Sequence, residues 1–295
     1  MPQSRLSITL VVDNEVADGL VAEHGFAAWI EAGEHRILFD TGQGSAFIPN
    51  CASLGIDLPR ANALVLSHGH YDHTGGLPDF LARNHDAPLY FATGFEVIRY
   101  SCHPEKPPRD ISIGEKVRNV LNELPEQRRI ALDSPRYLYP GIGISGPIPR
   151  VTPFEDTGGP FFLDPDQQQP DLINDDMSMW FETTEGLLIL TGCCHSGLVN
   201  TVQYIRQFTG IERVHGIIGG LHLLQASEER LQKTLRFLDD CAPELMVPCH
   251  CTGDESIKRI VQAFGTKRVQ PGGAGRYFRP MPSTVEQNVA EPTRS

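Results

Sequence analysis

Residues 65–76 read VLSHGHYDHTGG. Three imidazoles and a carboxylate fall inside the six residues His68-Gly69-His70-Tyr71-Asp72-His73, directly after the apolar run Ala63-Leu64-Val65-Leu66. Such a run reads as a buried strand, and a strand that ends in this cluster delivers several donors from one turn to one point. Imidazole nitrogen and carboxylate oxygen suit Zn²⁺, Fe or Mn²⁺. His68 and His70 alternate about Gly69, so both can face one way. Asp72 and His73 follow round the turn and can face a second position about 3.5–4 Å away, the spacing of two-metal hydrolases. The competing reading is a polar surface turn; with only 11 His in 295 residues, chance is a poor account of three within six.

Working outward, residues 7–12 alternate like a strand, and 26–30 and 36–39 read as two more. Residues 45–55 read as a helix ending at Gly55, which leads into the strand at 63–66. In the second half, 179–182 and 186–190 read as a hairpin. Residues 197–208 have helical spacing and stop at Gly210, and 214–218 is a strand. A helix over 227–240 starts at Ser227, a good N-cap, with Glu228 and Glu229 in its first turn. A short strand at 245–248 precedes a helix over 254–264 that Gly265 ends. Strands alternating with helices imply a layered α/β body. No internal repeat is clear. Between about 94 and 170 lie Pro104, Pro107, Pro108, Pro147, Pro149, Pro160, Pro165 and Pro170. That punctuation argues against a packed layer and for an insertion over the site, a lid or recognition arm; an inert surface excursion is the alternative. Residues 281–295 are polar and aperiodic, a tail.

Composition excludes several classes. At 295 residues and 40% hydrophobic the chain can bury a large core. No stretch approaches 18 apolar residues, so no membrane helix is expected. The start MPQSRLSITLVVDNE does not read as a signal peptide. The odd count of seven cysteines fits cytosolic thiols better than a disulfide framework, so a cytoplasmic protein is expected. A net charge of −12 disfavours nucleic acid as a partner. A small-molecule substrate, even an anionic one, remains compatible, because metal ions would supply the positive field.

Further donor candidates sit just after strands, where open α/β sheets collect their sites. His250 follows 245–248 and opens Cys251-Thr252-Gly253. The flanking Cys249 and Cys251 should point away from it, as neighbours on a strand do, and read as core thiols. His195 lies in Thr191-Gly192-Cys193-Cys194-His195-Ser196-Gly197, at a helix start that could instead hold a phosphate. His222 follows Gly219-Gly220-Leu221 and reads as an additional ligand or a general acid. Asp40 is expected to orient a ligand imidazole or tie the loops together. His24, His35, His85, His103 and His215 carry no partner motif and default to surface or structural histidines.

The string SHGHYDHTGG resembles the HxHxDH signature of the metallo-β-lactamase superfamily, and Phe39-Asp40-Thr41-Gly42 resembles its strand-end FDTG. TGCCHSG at 191–197, GGLHL at 219–223, HCTG at 250–253 and GPIPR at 146–150 resemble the branch named after 7,8-dihydropterin-6-methyl-4-(β-D-ribofuranosyl)aminobenzene 5′-phosphate synthase. The resemblance implies a four-layer αββα sandwich, one domain over 1–280 with 94–170 inserted. It implies two divalent ions, zinc first with Fe or Mn open. His68, His70, Asp72, His73, His195 and His250 would be ligands, with Asp176, Cys193 and His222 as further candidates. Two departures stand out. Cys193 occupies the slot of a metal-bridging aspartate, so Cys193, His195 or fewer ligands complete the site. Near Asp175 and Asp176 a third histidine is missing, and a carboxylate could substitute or simply belong to a turn. The implied activity is hydrolase-like or synthase-like chemistry on a small pterin- or nucleotide-like anion, with Asp72 accepting a proton and His222 donating one. A lactonase, a phosphodiesterase and a non-catalytic ligand sensor are the alternatives.

Overall fold

The computed structural model describes residues 6–279. The polar stretch 281–295 lies outside them. β1 (Leu6–Val12), β2 (Ala27–Ala32) and β3 (His35–Phe39) form an antiparallel meander. β4 (Ala63–Val65), β5 (Leu89–Ala92) and β8 (Arg129–Leu132) extend it in parallel, and β16 (Tyr277–Phe278) pairs with the free side of β1. A second sheet has the order β15 (Leu245–Cys249), β14 (Val214–Gly220), β13 (Gly186–Thr191), β12 (Ser178–Thr183), β10 (Ile142–Ile144), β9 (Arg136–Tyr139). Its β13, β14 and β15 are parallel.

The period-two alternation of strand side chains sorts the core into three slabs. Ile8, Leu10, Phe39 and Val65 of the first sheet meet Met179, Phe181, Leu188 and Leu190 of the second, all buried. Their sequence neighbours Trp29, Leu38 and Leu64 face outward, onto α1 (Phe47–Ser53), α3 (Leu77–Leu81) and α4 (Glu115–Glu123) through Phe47, Phe80, Val117 and Leu121. On the other side Trp180, Leu187 and Ile189 pack on α5 (Leu198–Thr209), α6 (Glu228–Cys241) and α7 (Asp254–Phe264) through Val202, Leu238 and Ile260. Helix, sheet, sheet, helix is the four-layer αββα sandwich. Both faces of each sheet are covered, which is why 187–190 reads LLIL without polar interruption. Ser227 caps α6 as its sequence promised, accepting from the Arg230 N–H at 3.1 Å.

Residues 94–170 are not one arm. β8, β9 and β10 belong to the two main sheets and α4 covers the first. These strands are four, four and three residues long, too short to show a period between prolines. What stands outside the sandwich is a small sheet of β6 (Tyr100–Ser101), β7 (Arg109–Asp110) and β11 (Phe161–Phe162), followed by the strap to residue 177.

One glycine of the second sheet is fixed by packing. A Cβ on Gly143 would lie 2.0 Å from the indole of its cross-strand partner Trp180, which is fully buried. Neither a ring nor a strand can yield that distance cheaply, so Gly143→Ala should cost about 3 kcal/mol. Urea unfolding checks this; a midpoint equal to the parent's would show that the indole has room to move.

Candidate metal centre

Parallel strands deliver the donors. β3 ends at Asp40, β4 runs into Ser67 and His68, β13 into Cys193 and His195, β14 into His222, and β15 into His250. α2 (Tyr71–Thr74) carries Asp72 and His73 back over them. Asp40, Cys194, His222 and His250 all hold left-handed backbone, with φ of 59°, 60°, 45° and 51°. Non-glycine residues avoid that region and persist there where surrounding structure compels it, typically at functional sites.

The hydrogen bonds fix which imidazole nitrogen is free. Asp40 Oδ2 accepts from His73 Nδ1 at 2.7 Å, and the Thr157 carbonyl accepts from His195 Nδ1 at 2.9 Å. Neither acceptor has a proton to give, so both rings carry theirs on Nδ1. Asn14 Oδ1, 3.1 Å from His250 Nδ1, also takes the Gly25 N–H and acts as acceptor. Ser67 Oγ donates to Asp40 Oδ2 at 2.7 Å, which leaves it to accept from His68 Nδ1 at 2.9 Å. All four rings therefore turn the Nε2 lone pair inward. An outer acceptor that fixes the tautomer of an imidazole is the usual support of a metal-binding histidine.

Inside, the donors crowd together. His68 Nε2 stands 2.9 Å from His70 Nδ1, and His73 Nε2 3.2 Å from Cys193 Sγ. Three-donor groups within 4.8 Å comprise His68, His70 and His195; His68, His73 and Cys193; Cys193, His195 and His222; Cys193, His250 and Cys251; and His24, Asp72 and His250. Nε2 of His70, His195 and His250 is buried without a hydrogen-bond partner, as is Nδ1 of His222. Buried polar atoms left this way are costly unless something binds them. The residues fit a metal.

Electrostatics agrees for four of the rings and departs at His73. Burial, then the neighbouring rings or the nearby Arg99, holds His68, His70, His195 and His250 well below the ordinary imidazole range, so they are neutral electron-pair donors. Burial alone would do the same to His73, but Asp40 and Asp72 outweigh it and hold that ring above its usual value. Burial and Arg230 press His222 down to about 3. His222 stands in one three-donor group with Cys193 and His195.

Asp175 and Asp176 brace the donor loops instead of joining them. Asp175 accepts from the Gly69 N–H at 2.7 Å and from Arg99 at 2.9 Å, holding the peptide between His68 and His70. Asp176 accepts from the Ser196 N–H at 2.8 Å, and burial lifts its carboxyl to about 6. Neither stands in a three-donor group among the described residues, and Asp176 Oδ1 is buried without a hydrogen-bond partner. The phosphate reading of the α5 N-terminus is overturned. Glu155 already fills it, accepting from Val199 N at 2.8 Å and Asn200 N at 2.9 Å. His195 itself sits in the turn before the helix.

Two expectations about neighbours also change. Cys251 does not point away from His250: the strand ends at Cys249, and a 3₁₀ turn over His250–Thr252 breaks the alternation and swings Cys251 inward. His24 is no bystander, with Nε2 3.3 Å from Asp72 Oδ2. Its loop is pinned by Glu23, which accepts from the N–H groups of Gln43, Gly44, Ser45 and Ala46. No sequence signal marks His24, Asn14 or Thr157, whose partners lie 48, 236 and 38 residues away.

His70, Asp72, Cys193, His222, His250 and Cys251 line a cavity of about 1250 Å³. His103, Lys106 and Arg109 of the small sheet stand on one wall, and Asp13, Glu15, Asp254 and Glu255 on another. Phe161 leans over the floor, its ring centroid 5.3 Å from that of His195 and 5.6 Å from that of His70. Arg109 stacks on Tyr71 at 4.7 Å. Thus of 94–170 only the small sheet and the loop that joins β6 to β7 wall the site. Among the described residues no helix is long and apolar enough to cross a membrane.

Comparison with known proteins agrees with this architecture. Residues 21–167 match the model of the metallo-beta-lactamase superfamily. An uncharacterized protein of Methanocaldococcus jannaschii, MJ0448, is 31% identical over 257 residues, covering 86% of this chain and 94% of its own. The 7,8-dihydropterin-6-methyl-4-(beta-D-ribofuranosyl)-aminobenzene-5′-phosphate synthase of the same organism is 28% identical over 256 residues, covering 82% and 85%. The crystal structure of Tm1679, described as a metal-dependent hydrolase of the beta-lactamase superfamily, superposes with a TM-score of 0.75 at 26% identity, covering 92% of this chain and 98% of that one. Strand order, donor loops and relatives converge: the chain belongs to the metallo-β-lactamase superfamily.

Proposed function

We propose that this protein is a metal-dependent enzyme that holds two divalent ions, zinc first among them, and acts in hydrolase fashion on a small anionic substrate in the cavity. The observation that carries the reading is the shared tautomer of His68, His73, His195 and His250, whose rings belong to overlapping three-donor groups just beneath the cavity that His70, Asp72, Cys193 and His250 line. His68, His70 and His195 would hold one ion; Asp72, His73, Cys193 and His250 the other, with His222 beside Cys193 and His195. Such ions polarise a carbonyl or phosphoryl oxygen and bring the pKa of water toward about 7. The chain's own part is binding and proton handling. Lys106 and Arg109 offer positive charge to the substrate's anionic group, and Phe161 and Tyr71 offer apolar faces to a flat ring. Asp72, whose Oδ2 lies 3.6 Å from His250 Nε2 and 3.3 Å from His24 Nε2, would accept a proton from the reacting water. The net charge of −12 supports a small molecule over nucleic acid.

A second reading is group transfer, condensing a dihydropterin diphosphate with an aminobenzene-ribose phosphate. Similarity to the synthase over 82% of this chain supports it. So does the cavity volume of about 1250 Å³, which exceeds the roughly 300–1,000 Å³ of ordinary small-molecule pockets and leaves room for two reactants.

The test is elemental analysis of the purified protein followed by a panel of lactone, phosphodiester and thioester probes and the pterin pair. Turnover of one class, lost on chelation and restored by zinc, is the expected result. Full activity in metal-free protein would sink the proposal, and tight binding of a panel member without turnover would make the protein a sensor.

A further inference from the structure

We infer that Cys251, with Cys193 and His250, makes the second ion position a two-sulfur site. The inference rests on the metal reading above and adds a ligand to it. The two Sγ atoms and a His250 ring nitrogen lie within 4.8 Å of one another, and His250 Nε2 is buried without a partner.

Packing separates these two thiols from the others. Cys51, Cys194 and Cys249 are buried among apolar side chains of the three core slabs. Cys193 and Cys251, although only 3% and 8% exposed, belong to none of those slabs and line the cavity, whose wall Cys249 also reaches from its slab. The contacts of Cys251 Sγ are to Cys193, its carbonyl at 3.5 Å and its thiol. A buried cysteine usually serves as a small hydrophobe; Cys251 is not placed to do so.

The backbone is shaped to bring it there. His250 takes a φ of 51°, and Thr252 ties the turn, donating to the Cys249 carbonyl at 2.8 Å and accepting from the Leu221 N–H at 3.0 Å. Space for the sulfur is made by Gly220, where a Cβ would lie 2.6 Å from Cys251 Sγ and 2.5 Å from the Gly192 carbonyl. Only glycine at the end of β14 lets the thiol lie beside Cys193.

Two thiolates select zinc, cobalt or cadmium over manganese and magnesium. On binding, each S–H bond breaks, its electron pair goes to the cation and its proton to solvent.

The experiment adds Co²⁺ to the metal-free full-length protein and reads the sulfur-to-cobalt charge-transfer band in the near ultraviolet. Wild-type protein should show it. Cys251→Ser and Cys193→Ser should each reduce it about twofold, the double variant should abolish it, and Cys249→Ser should leave it intact. Cys251→Ser should also lose zinc to a chelator more readily, by more than the about 10–100-fold typical of an outer partner. A wild-type spectrum without the band while two ions are bound overturns the sulfur assignment alone, and needs no variant to fold. A full-intensity band in Cys251→Ser overturns the part of Cys251. Protein that binds neither cobalt nor zinc overturns the metal reading with it.

Discussion

His70→Ala is expected to leave a folded chain that has lost metal and turnover. His70 Nδ1 faces His68 Nε2 at 2.9 Å, and its Nε2 is buried with no partner. In the metal-free protein that ring contributes little: removing an unsatisfied polar atom offsets part of the lost packing, so apo stability should change by no more than about 1–2 kcal/mol. With metal present the same ring is one of three donors, with His68 and His195. Bound ions stabilise developing charge by several kcal/mol, and about 1.4 kcal/mol is tenfold in rate. The expected loss of turnover is therefore on the order of 10³-fold, with metal content falling from about two ions to one or fewer. Elemental analysis, thermal unfolding of the apo proteins and steady-state rates together check this. A variant with full metal and full rate would remove His70 from the site; one that fails to fold would make it structural.

The contrast between His70 and its supports also marks what could be read from the chain alone. Donors were legible where a strand-end pattern announces them. HGHYDH after Ala63-Leu64-Val65-Leu66 places a cluster at the end of β4, and His195, His222 and His250 each follow an apolar run that proved to be a strand. Long, strongly periodic elements such as α5, α6 and α7 were legible for the same reason, since their buried faces set the period. What stayed hidden depends on contacts that no local pattern carries. Asn14 reaches His250 across 236 residues and Thr157 reaches His195 across 38. Glu155 caps α5 from the proline-broken loop between β10 and β11, 44 residues away. Strand alternation turns Cys251 outward, but the left-handed turn at His250 ends that alternation one residue earlier. β8, β9 and β10 are illegible because three or four residues between prolines cannot show a period of two. The site is thus a set of legible donors held by illegible braces.

Asp40 is the brace on which most depends, and Asp40→Asn should show it. Oδ1 accepts from Ser67 N at 2.7 Å, and Oδ2 accepts both Ser67 Oγ and His73 Nδ1 at 2.7 Å. A carboxylate can take all three because it only accepts. Gly192 packs flush against this group, since a Cβ there would lie 2.9 Å from Asp40 Oδ2 and 2.2 Å from Ser67 Oγ, so the side chain cannot turn away. An amide in its place can keep the Ser67 N–H on its oxygen, but its NH₂ then faces two donors. The cheapest relief is for His73 to move its proton to Nε2 and for Ser67 to turn its hydroxyl. That places N–H, not a lone pair, toward Cys193 Sγ, 3.2 Å away, and turns the Ser67 hydroxyl toward His68 Nδ1. Two of the four inward imidazoles lose the tautomer that ligation needs. Metal affinity should fall about 10–100-fold, as for other outer partners, and the apo protein should lose about 1–3 kcal/mol from the mismatched buried pair. Unlike His70→Ala, Asp40→Asn therefore weakens metal and fold together. Chelator competition reads the first and urea unfolding the second. Unchanged metal affinity alongside a destabilised fold would mean that Asp40 ties the loops without setting the ring.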